Sequence, residues 1–459
     1  MFELDLMKYS TFFNEYGELR LHRNQMMYLN LLNGDVDTNS SNSSEGFSVR
    51  LGRGGIWGFS SAAEITDAQI KKAFQATEDK YKWLSGKQNK ALAPISAIKE
   101  SGNWLYLPEN TAWGTNRKLA YLRELDIYIL KKYPELNMRS LTLISSDVEK
   151  KVLTAAGSEF HLNRPLYNLV ISLTTNKSGD PTSLYDVFGG FGFIEDDLQP
   201  VETYFEKIDE LYEHLMRKSE GVYPQPGMHD VVMDADLAGI LSHEAIGHTT
   251  EADLVMKGSV AGDLLGEKVA SEQVTLVDIA HTYEGKLCPV PVFMDDEGVL
   301  AEDVVIIKDG ILQDFMHDRA SAQKMNMLPK GNARAHSYFD EPLIRMRNTM
   351  IMPGNSKLED MIAGVDDGYY LIKSSNGQAD TTSEFMFGVV QGYEIKQGKL
   401  GKALKDTTIS GVAFDVLKSV TAISDDYKFN TGTCGKKQNI LVGMGGPAVR
   451  CRVNIGGKA

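Results

Sequence analysis

Cysteine is scarce in this sequence, with Cys288, Cys434 and Cys451 the only three in 459 residues. So odd and sparse a set does not make a disulfide framework, and it suits a reducing compartment. Positive charge is also short: 48 Lys and Arg face 62 Asp and Glu, a formal net charge of −14. A surface of that sign repels phosphate backbones, which argues against a general nucleic-acid binder. No uninterrupted apolar run approaches the ~18–20 residues of a membrane helix. The start MFELD carries acids where a secretory signal carries bases before an apolar stretch. These absences lead to the expectation of a cytoplasmic protein with neither membrane nor nucleic acid as partner. Nucleotide loops are missing as well. There is no Gly-x4-Gly-Lys-Ser/Thr run, and in Gly443-Met444-Gly445-Gly446 the third dinucleotide glycine is replaced by Ala448, ahead of a strand-like segment.

What is present reads as a globular chain, 42% hydrophobic and 24% charged. Its length exceeds one ordinary core, so two domains are expected. Residues 17–34 alternate as a strand ending at Asn33-Gly34. The polar tract from Asp35 to Ser44 reads as a solvated loop; it lacks the Gly and Glu of a calcium loop, having Ser40 and Gly46 there. A hairpin is expected over 47–60, turning through Gly52-Arg53-Gly54-Gly55. Thr66 and Gln69 announce a helix, a second is expected over 115–132 before Pro134, and a third over 200–219 before Gly221. Strands are expected within 140–174. The mixed Pro/Gly stretch 222–228 sets the boundary between domains at 1–222 and 223–459. After it short strands dominate, over 272–279, 289–294, 303–316, 346–352, 385–396 and 437–454, with hairpin turns at Lys308-Asp309-Gly310 and Gln397-Gly398.

Chemistry concentrates in His243-Glu244-Ala245-Ile246-Gly247-His248. A strand over 230–233 leads into a helix capped by Asp234 or Asp236, with Leu237, Ile240 and Leu241 facing the core. Histidine nitrogens bind zinc, and a neighbouring glutamate can deprotonate a water beside it. The common peptidase spacing is four residues. Here it is five, which leaves the two rings about 140° apart on a regular helix. A π-type widening between Glu244 and His248, eased by Gly247, is therefore expected, since it would restore one shared face. A catalytic zinc takes three protein ligands and keeps a position open. Glu251 lies three residues after His248, and Cys434 sits between glycines in a segment expected to be a tight loop; spacing does not choose between them. The plainer reading is that two histidines and a glutamate line the edge of a core, and that a lone cysteine is a small buried apolar residue. His22, His161, His214, His229, His281, His317 and His336 lack ligand spacing and read as surface or packing residues. Cys288 and Cys451 read as strand residues facing a core.

HEAIGHTTEADLVMKGS at 243–259 resembles the signature of the TldD/PmbA family, formerly called modulators of DNA gyrase. MDDEG at 294–298, DGIL and FMHDRASA within 309–322, GNARAHSY at 331–338, PLIRMRNTMIMPG at 342–354, NGQADTTSEFMFG at 376–388 and GTCGKKQNILVGMGGPAVR at 432–450 follow in order. The N-terminal half fits more loosely. Ser375-Asn376-Gly377-Gln378 and Gly445-Gly446-Pro447 depart from the family pattern, which touches specificity. The resemblance implies an α+β fold, with an N-terminal α/β domain of mixed sheet and helices and a C-terminal β-rich domain carrying the motif helix. It implies zinc on His243, His248 and Cys434, with Glu244 as general base, acting on peptide bonds of unfolded peptides. It also implies a dimer, either a homodimer or a heterodimer with a PmbA/TldE-type paralogue that lacks the metal motif. Arg334 and His336 would have at most a substrate-side role. Two other readings stand beside it: a non-enzymatic modulator acting on a partner such as DNA gyrase, and a closed structural zinc site in which Glu251 is the fourth ligand.

Overall fold

The structure, a computed structural model, describes residues 1–53, 55–87 and 95–456. Seven strands come first: β1 Tyr16–Leu32, β2 Asp35–Arg53, β3 Ile56–Ala62, β4 Ser101–Trp104, β5 Met138–Thr154, β6 Glu159–Thr175 and β7 Thr182–Phe191. They form one sheet in the order β3-β2-β1-β5-β6-β4, with β7 also on β6. Asn33 and Gly34 both take positive φ, 51° and 89°, as a tight two-residue hairpin demands.

The polar tract after that turn is not a loop. Asp35 to Ser44 is the first half of β2, paired residue by residue with β1 from Leu32 back to Asn24. Sheet pairing draws on backbone N–H and C=O groups, so serines and asparagines pair as well as valines do. Both faces of this stretch meet water, which removed the alternation that marks a half-buried strand. The next turn, Gly52-Arg53-Gly54-Gly55, joins β2 to β3; Gly54 lies outside the described residues.

Helices cover one face of the sheet. The helix Asp67–Ser85 starts at Thr66, whose side chain accepts from the Gln69 N–H, and packs Ile70 and Phe74 on Leu19, Leu21, Phe47 and Val49. The helices Thr115–Lys132 and Phe205–Ser219 share a second core with Leu29, Leu141, Leu169 and Ile171. The latter is preceded by one 3₁₀ turn from Val201 to Tyr204.

Seventeen shorter strands are named after residue 226. In chain order they are β8 Gly227–Met233, β9 Leu276–Ile279, β10 Thr282–Tyr283, β11 Lys286–Leu287, β12 Val304–Lys308, β13 Ile311–Leu312, β14 Ala333–Arg334, β15 Leu343–Ile344 and β16 Asn348–Ile351. Then come β17 Asp367–Ala379, β18 Glu384–Lys396, β19 Lys399–Ala403, β20 Thr407–Val412, β21 Ala422–Ile423, β22 Lys428–Lys436, β23 Gln438–Gly446 and β24 Val449–Ile455. Of the two large sheets, one runs β13-β12-β9-β16-β23-β22 and the other β17-β8-β24-β20-β18-β19, with β21 on β24; β10-β11 and β14-β15 are separate two-stranded pairs. Asp309-Gly310 and Gln397-Gly398 turn their hairpins at positive φ.

The expected strand over 289–294 is absent. Val290, Val292 and Met294 are buried, but only Met294 makes a bridge, to Leu300. Pro289 and Pro291 supply no N–H for a ladder, so burial gave this segment a strand-like pattern without pairing. Cys288 is buried just after β11 and belongs to no strand, whereas Cys451 faces the core from β24. Cys434 lies on β22, not on a tight loop. The largest core cluster draws on both C-terminal sheets, and Leu237, Leu241, Ala245 and Ile246 stand in its middle, so the motif helix is sandwiched between the sheets. The result is an N-terminal α/β half and a β-rich C-terminal half that carries the motif helix. No helix among the described residues is long and apolar enough to cross a membrane.

Candidate metal centre

The chain leaves β8 at Met233 and enters the helix Ala235–Ile240 through Asp234, whose carboxylate accepts from the Ala235 N–H at 2.9 Å. From Leu241 to Gly247 the helix is π, and the His248 N–H reaches the carbonyl of His243, five residues back. The wide turn predicted from the spacing is therefore present. It brings His243 and His248 onto one face, with ring centroids 5.6 Å apart.

A π turn gives up regular α-helical bonds, and hydroxyls stand at the carbonyls around it. Ser242 donates to Ala238 O, Thr249 to Ile246 O and Thr250 to Ile246 O, at 2.7, 2.8 and 2.9 Å. Gly247 has a packing reason: a Cβ there would collide with Met346 Sδ. Its neighbour on the facing segment, Thr349 of β16, holds His243 Nδ1 at 3.0 Å.

Cys434 comes from β22, 186 residues beyond His248, and its Sγ lies 3.2 Å from His248 Nε2. One donor atom from each of His243, His248 and Cys434 falls within 4.8 Å of the others. Burial would raise the Cys434 thiol, but the His243 and His248 rings hold it down to about 4. Burial would likewise lower His248, yet Cys434 and Glu251 hold it up to about 10. Each of the two groups thus favours the charged form of the other.

His243 Nε2 is fully buried and has no hydrogen-bond partner. A polar atom abandoned in a core costs about 1–3 kcal/mol unless something fills its place. That orphan nitrogen, a thiolate and a second imidazole nitrogen are the donors a borderline-soft cation such as zinc takes, with bonds of about 2.0–2.3 Å. The residues present fit a metal.

Glu251 does not join the three donors. It is fully buried, and its Oε2 accepts from His248 Nδ1 at 2.9 Å, on the side of the ring away from Cys434. Glu244 is at the open edge of the cluster: its side chain is 24% exposed, and its Oε2 is 3.7 Å from His248 Nε2. A carboxylate there can exchange protons with water.

Other residues hold the site from behind. Arg345, fully buried, donates from Nη2 to Cys434 O at 2.6 Å and from Nη1 to Gln438 O at 2.8 Å. Arg347 pairs with Asp278 at 2.8 Å and steadies the start of β16. Sequence reasoning missed Thr349, Arg345 and Lys436; arginines spaced two apart in Ile344-Arg345-Met346-Arg347 look like the wet face of a strand, and here both are in the core. Arg334 is buried and donates to Leu441 O, a structural contact, while His336 is exposed and bonded through its backbone to Gln438. His22 and His317 are buried, and His281 stacks on Phe293.

Comparison with known proteins agrees with this geometry. Residues 226–457 match the PmbA/TldA metallopeptidase C-terminal domain, and residues 17–79 match PmbA/TldA metallopeptidase domain 1. A metalloprotease of Methanocaldococcus jannaschii is 31% identical over 95% of this chain and 96% of its own. The zinc metalloprotease TldD homolog of Saccharolobus solfataricus is 27% identical over 90% of each chain, and the metalloprotease TldD homolog of Haemophilus influenzae is 28% identical over 96% of this chain and 93% of its own. In fold, TldE from Thermococcus kodakarensis superposes with a TM-score of 0.75 over 98% of this chain and 99% of that one, at 18% identity. With a helix that closes one turn in five residues, a fitting donor set, and full-length relatives named metalloproteases, the chain belongs to the PmbA/TldD family of metallopeptidases.

Proposed function

We propose that this protein hydrolyses peptide bonds of unfolded peptides with zinc held by His243, His248 and Cys434. The observation that carries the reading is the buried, partnerless His243 Nε2 facing the same space as Cys434 Sγ and His248 Nε2. When bound, zinc supplies Lewis acidity to a water and to the carbonyl of the scissile peptide. Thr349 and Glu251 accept from the Nδ1–H groups of His243 and His248, which leaves both Nε2 lone pairs free for the metal. Glu244, partly open to solvent, takes the proton from the attacking water and hands it to the leaving amine. Because Glu251 is occupied at His248 Nδ1, it supports an open fourth position over a closed structural site.

An extended chain is favoured as substrate because β22 is an outer strand of its sheet, so the strand bearing Cys434 offers backbone groups to a peptide lying alongside. Asn168 of β6 reaches Thr431 of the same strand at 3.1 Å, so the N-terminal half borders that path. We further propose two domains, 1–222 and 223–459, with each of the three large sheets confined to one side of that division. A dimer, with a second copy or with a metal-free TldE-type paralogue, is proposed on the shared fold with TldE. A cytoplasmic location is proposed because all three cysteines are free thiols, one of them a thiolate that oxidation would spoil. Metal content of the purified chain beside Cys434→Ala and His243→Ala is the test. About one zinc per chain, lost in both variants, agrees with the reading; a wild-type chain that takes up no metal overturns it.

A further inference from the structure

We propose that Lys436 is a positioning residue of the metal centre, tying the strand that carries Cys434 to the carboxylate that orients His248. The inference rests on the ligand set proposed above. Cys434 and Lys436 are two apart on β22, so both side chains leave the same face of the strand, toward the end of the motif helix.

The Lys436 ammonium is nearly buried, with 11% of its side chain exposed. It donates to Asp253 Oδ1 at 2.6 Å and to Ile344 O at 3.2 Å, and forms an ion pair with Glu251 Oε2 at 3.2 Å. Each acceptor belongs to a different piece of the site. Glu251 follows the π-helix, Asp253 begins the next helical turn, and Ile344 adjoins Arg345, which clasps the carbonyl of Cys434.

An ammonium only donates. Glu251 Oε2 is therefore the anionic partner of Lys436 in an ion pair, and it also meets His248 Nδ1 at 2.9 Å. With the carboxylate as acceptor, Nδ1 carries the hydrogen, so Nε2 is the nitrogen that would give its lone pair to a metal beside Cys434. Glu251 Oε1 is buried without a partner, so everything that fixes this carboxylate passes through Oε2. Among the described residues, Lys436 is the one lysine or arginine paired with it. The same side chain thus sets the distance between two ligand-bearing segments and the orientation of one ligand ring.

The test measures zinc affinity of the full chain by competition with a chromophoric chelator, and the visible spectrum of its cobalt(II) form. Lys436→Met is compared with Lys436→Arg, Glu251→Gln and Lys257→Met. Lys257 lies 3.7 Å from the same Asp253 but is 64% exposed, so it controls for charge near the site. Weakening of about 10–100-fold is expected for Lys436→Met, the range of lost outer-shell partners, with a changed cobalt spectrum, recovery in Lys436→Arg, and wild-type behaviour in Lys257→Met. A role confined to fold stability would lower the melting temperature of the metal-free variant and leave zinc affinity alone, and that result overturns the proposal. Should Lys436→Met fail to fold, unchanged affinity and spectrum in Glu251→Gln overturn it equally. A wild-type chain that binds no metal removes the ligand set itself, a failure distinct from a wild type that binds while Lys436→Met binds as well.

Discussion

His243 is an expensive residue for a core unless it serves a ligand, and this can be measured. Its Nε2 has no partner and its Nδ1 bonds only Thr349 Oγ1, with both residues fully buried. Replacing both, His243→Leu with Thr349→Val, removes the orphan, which is worth about 1–3 kcal/mol, and one hydrogen bond, worth about 0.5–1.5 kcal/mol net. The metal-free double variant should therefore lie between about 0.5 kcal/mol below and 2.5 kcal/mol above wild type in stability. Zinc should behave oppositely: at a hundredfold excess over Kd it stabilises wild type by about 2.7 kcal/mol and the double variant not at all. Urea denaturation under reducing conditions, with chelator and with zinc, reads both numbers. A loss beyond about 3 kcal/mol in chelator would make His243 an ordinary structural residue, and a double variant that zinc still stabilises would refute the ligand assignment.

Glu244→Gln should retain zinc and lose about 10²–10⁴-fold in kcat, the usual share of a positioned proton acceptor; a variant that hydrolyses peptides at the wild-type rate removes Glu244 from the reaction. The metal-free protein should show a stability plateau between pH 6.5 and 9. Cys434, depressed from 9.0 to about 4, adds stability that is complete above pH 9 and lost as pH falls through 4, while His248, raised from 6.5 to about 10, adds stability that is complete below pH 6.5 and lost as pH rises through 10. The opposite slopes cancel between those limits; because Cys434 is also the first group that holds His248 up, Cys434→Ala should remove the rise below pH 6.5 and leave above it only the shorter decline that Glu251 sustains, which thermal melts across pH in chelator decide. Arg50 is 4% exposed, sits 2.9 Å from Glu18 and also pairs with Glu297, which comes from the C-terminal half. Arg50→Met leaves two buried carboxylates without a cation and should destabilise by about 3–5 kcal/mol in the same denaturation assay; a neutral result would mean that the junction between the halves does not depend on that ion pair.

Much of the scaffold was legible because its signals are local. Thr66, Pro134, Asn33-Gly34 and Gln397-Gly398 act through their own backbone geometry, and the elements they bound lie where they indicate. Strand β2 was illegible over 35–44 for the opposite reason: its partner β1 supplies the pairing, and no side chain on either face reports it. The site divides in the same way. The His243–His248 segment is contiguous and its odd spacing could be read, whereas Thr349 on β16, Arg345 just after β15 and Lys436 on β22 act on it across distances no periodicity encodes. Cys434 could be nominated, but the choice between it and Glu251 needed coordinates, because it turns on which side of the His248 ring each one approaches.

The five-residue spacing and the residues around it make one physical unit. A metal needs both histidines on one face, and a regular helix meets that need with a spacing of four. Here the backbone meets it instead, by closing the turn from His243 O to His248 N. That choice strains the bonding of the carbonyls near the bulge, and the sequence supplies hydroxyls in the same stretch, Ser242 before the motif and Thr249 and Thr250 after it. It also brings the widened turn against the Met346 side chain, which sits where a Cβ at 247 would be. An alanine at 247 should force either the Met346 side chain or the turn to give; zinc affinity of Gly247→Ala separates the two, unchanged if Met346 moves and weakened if the turn that aligns the rings does. On a regular helix the same spacing of five would leave the two rings about 140° apart, so the centre depends on the π turn.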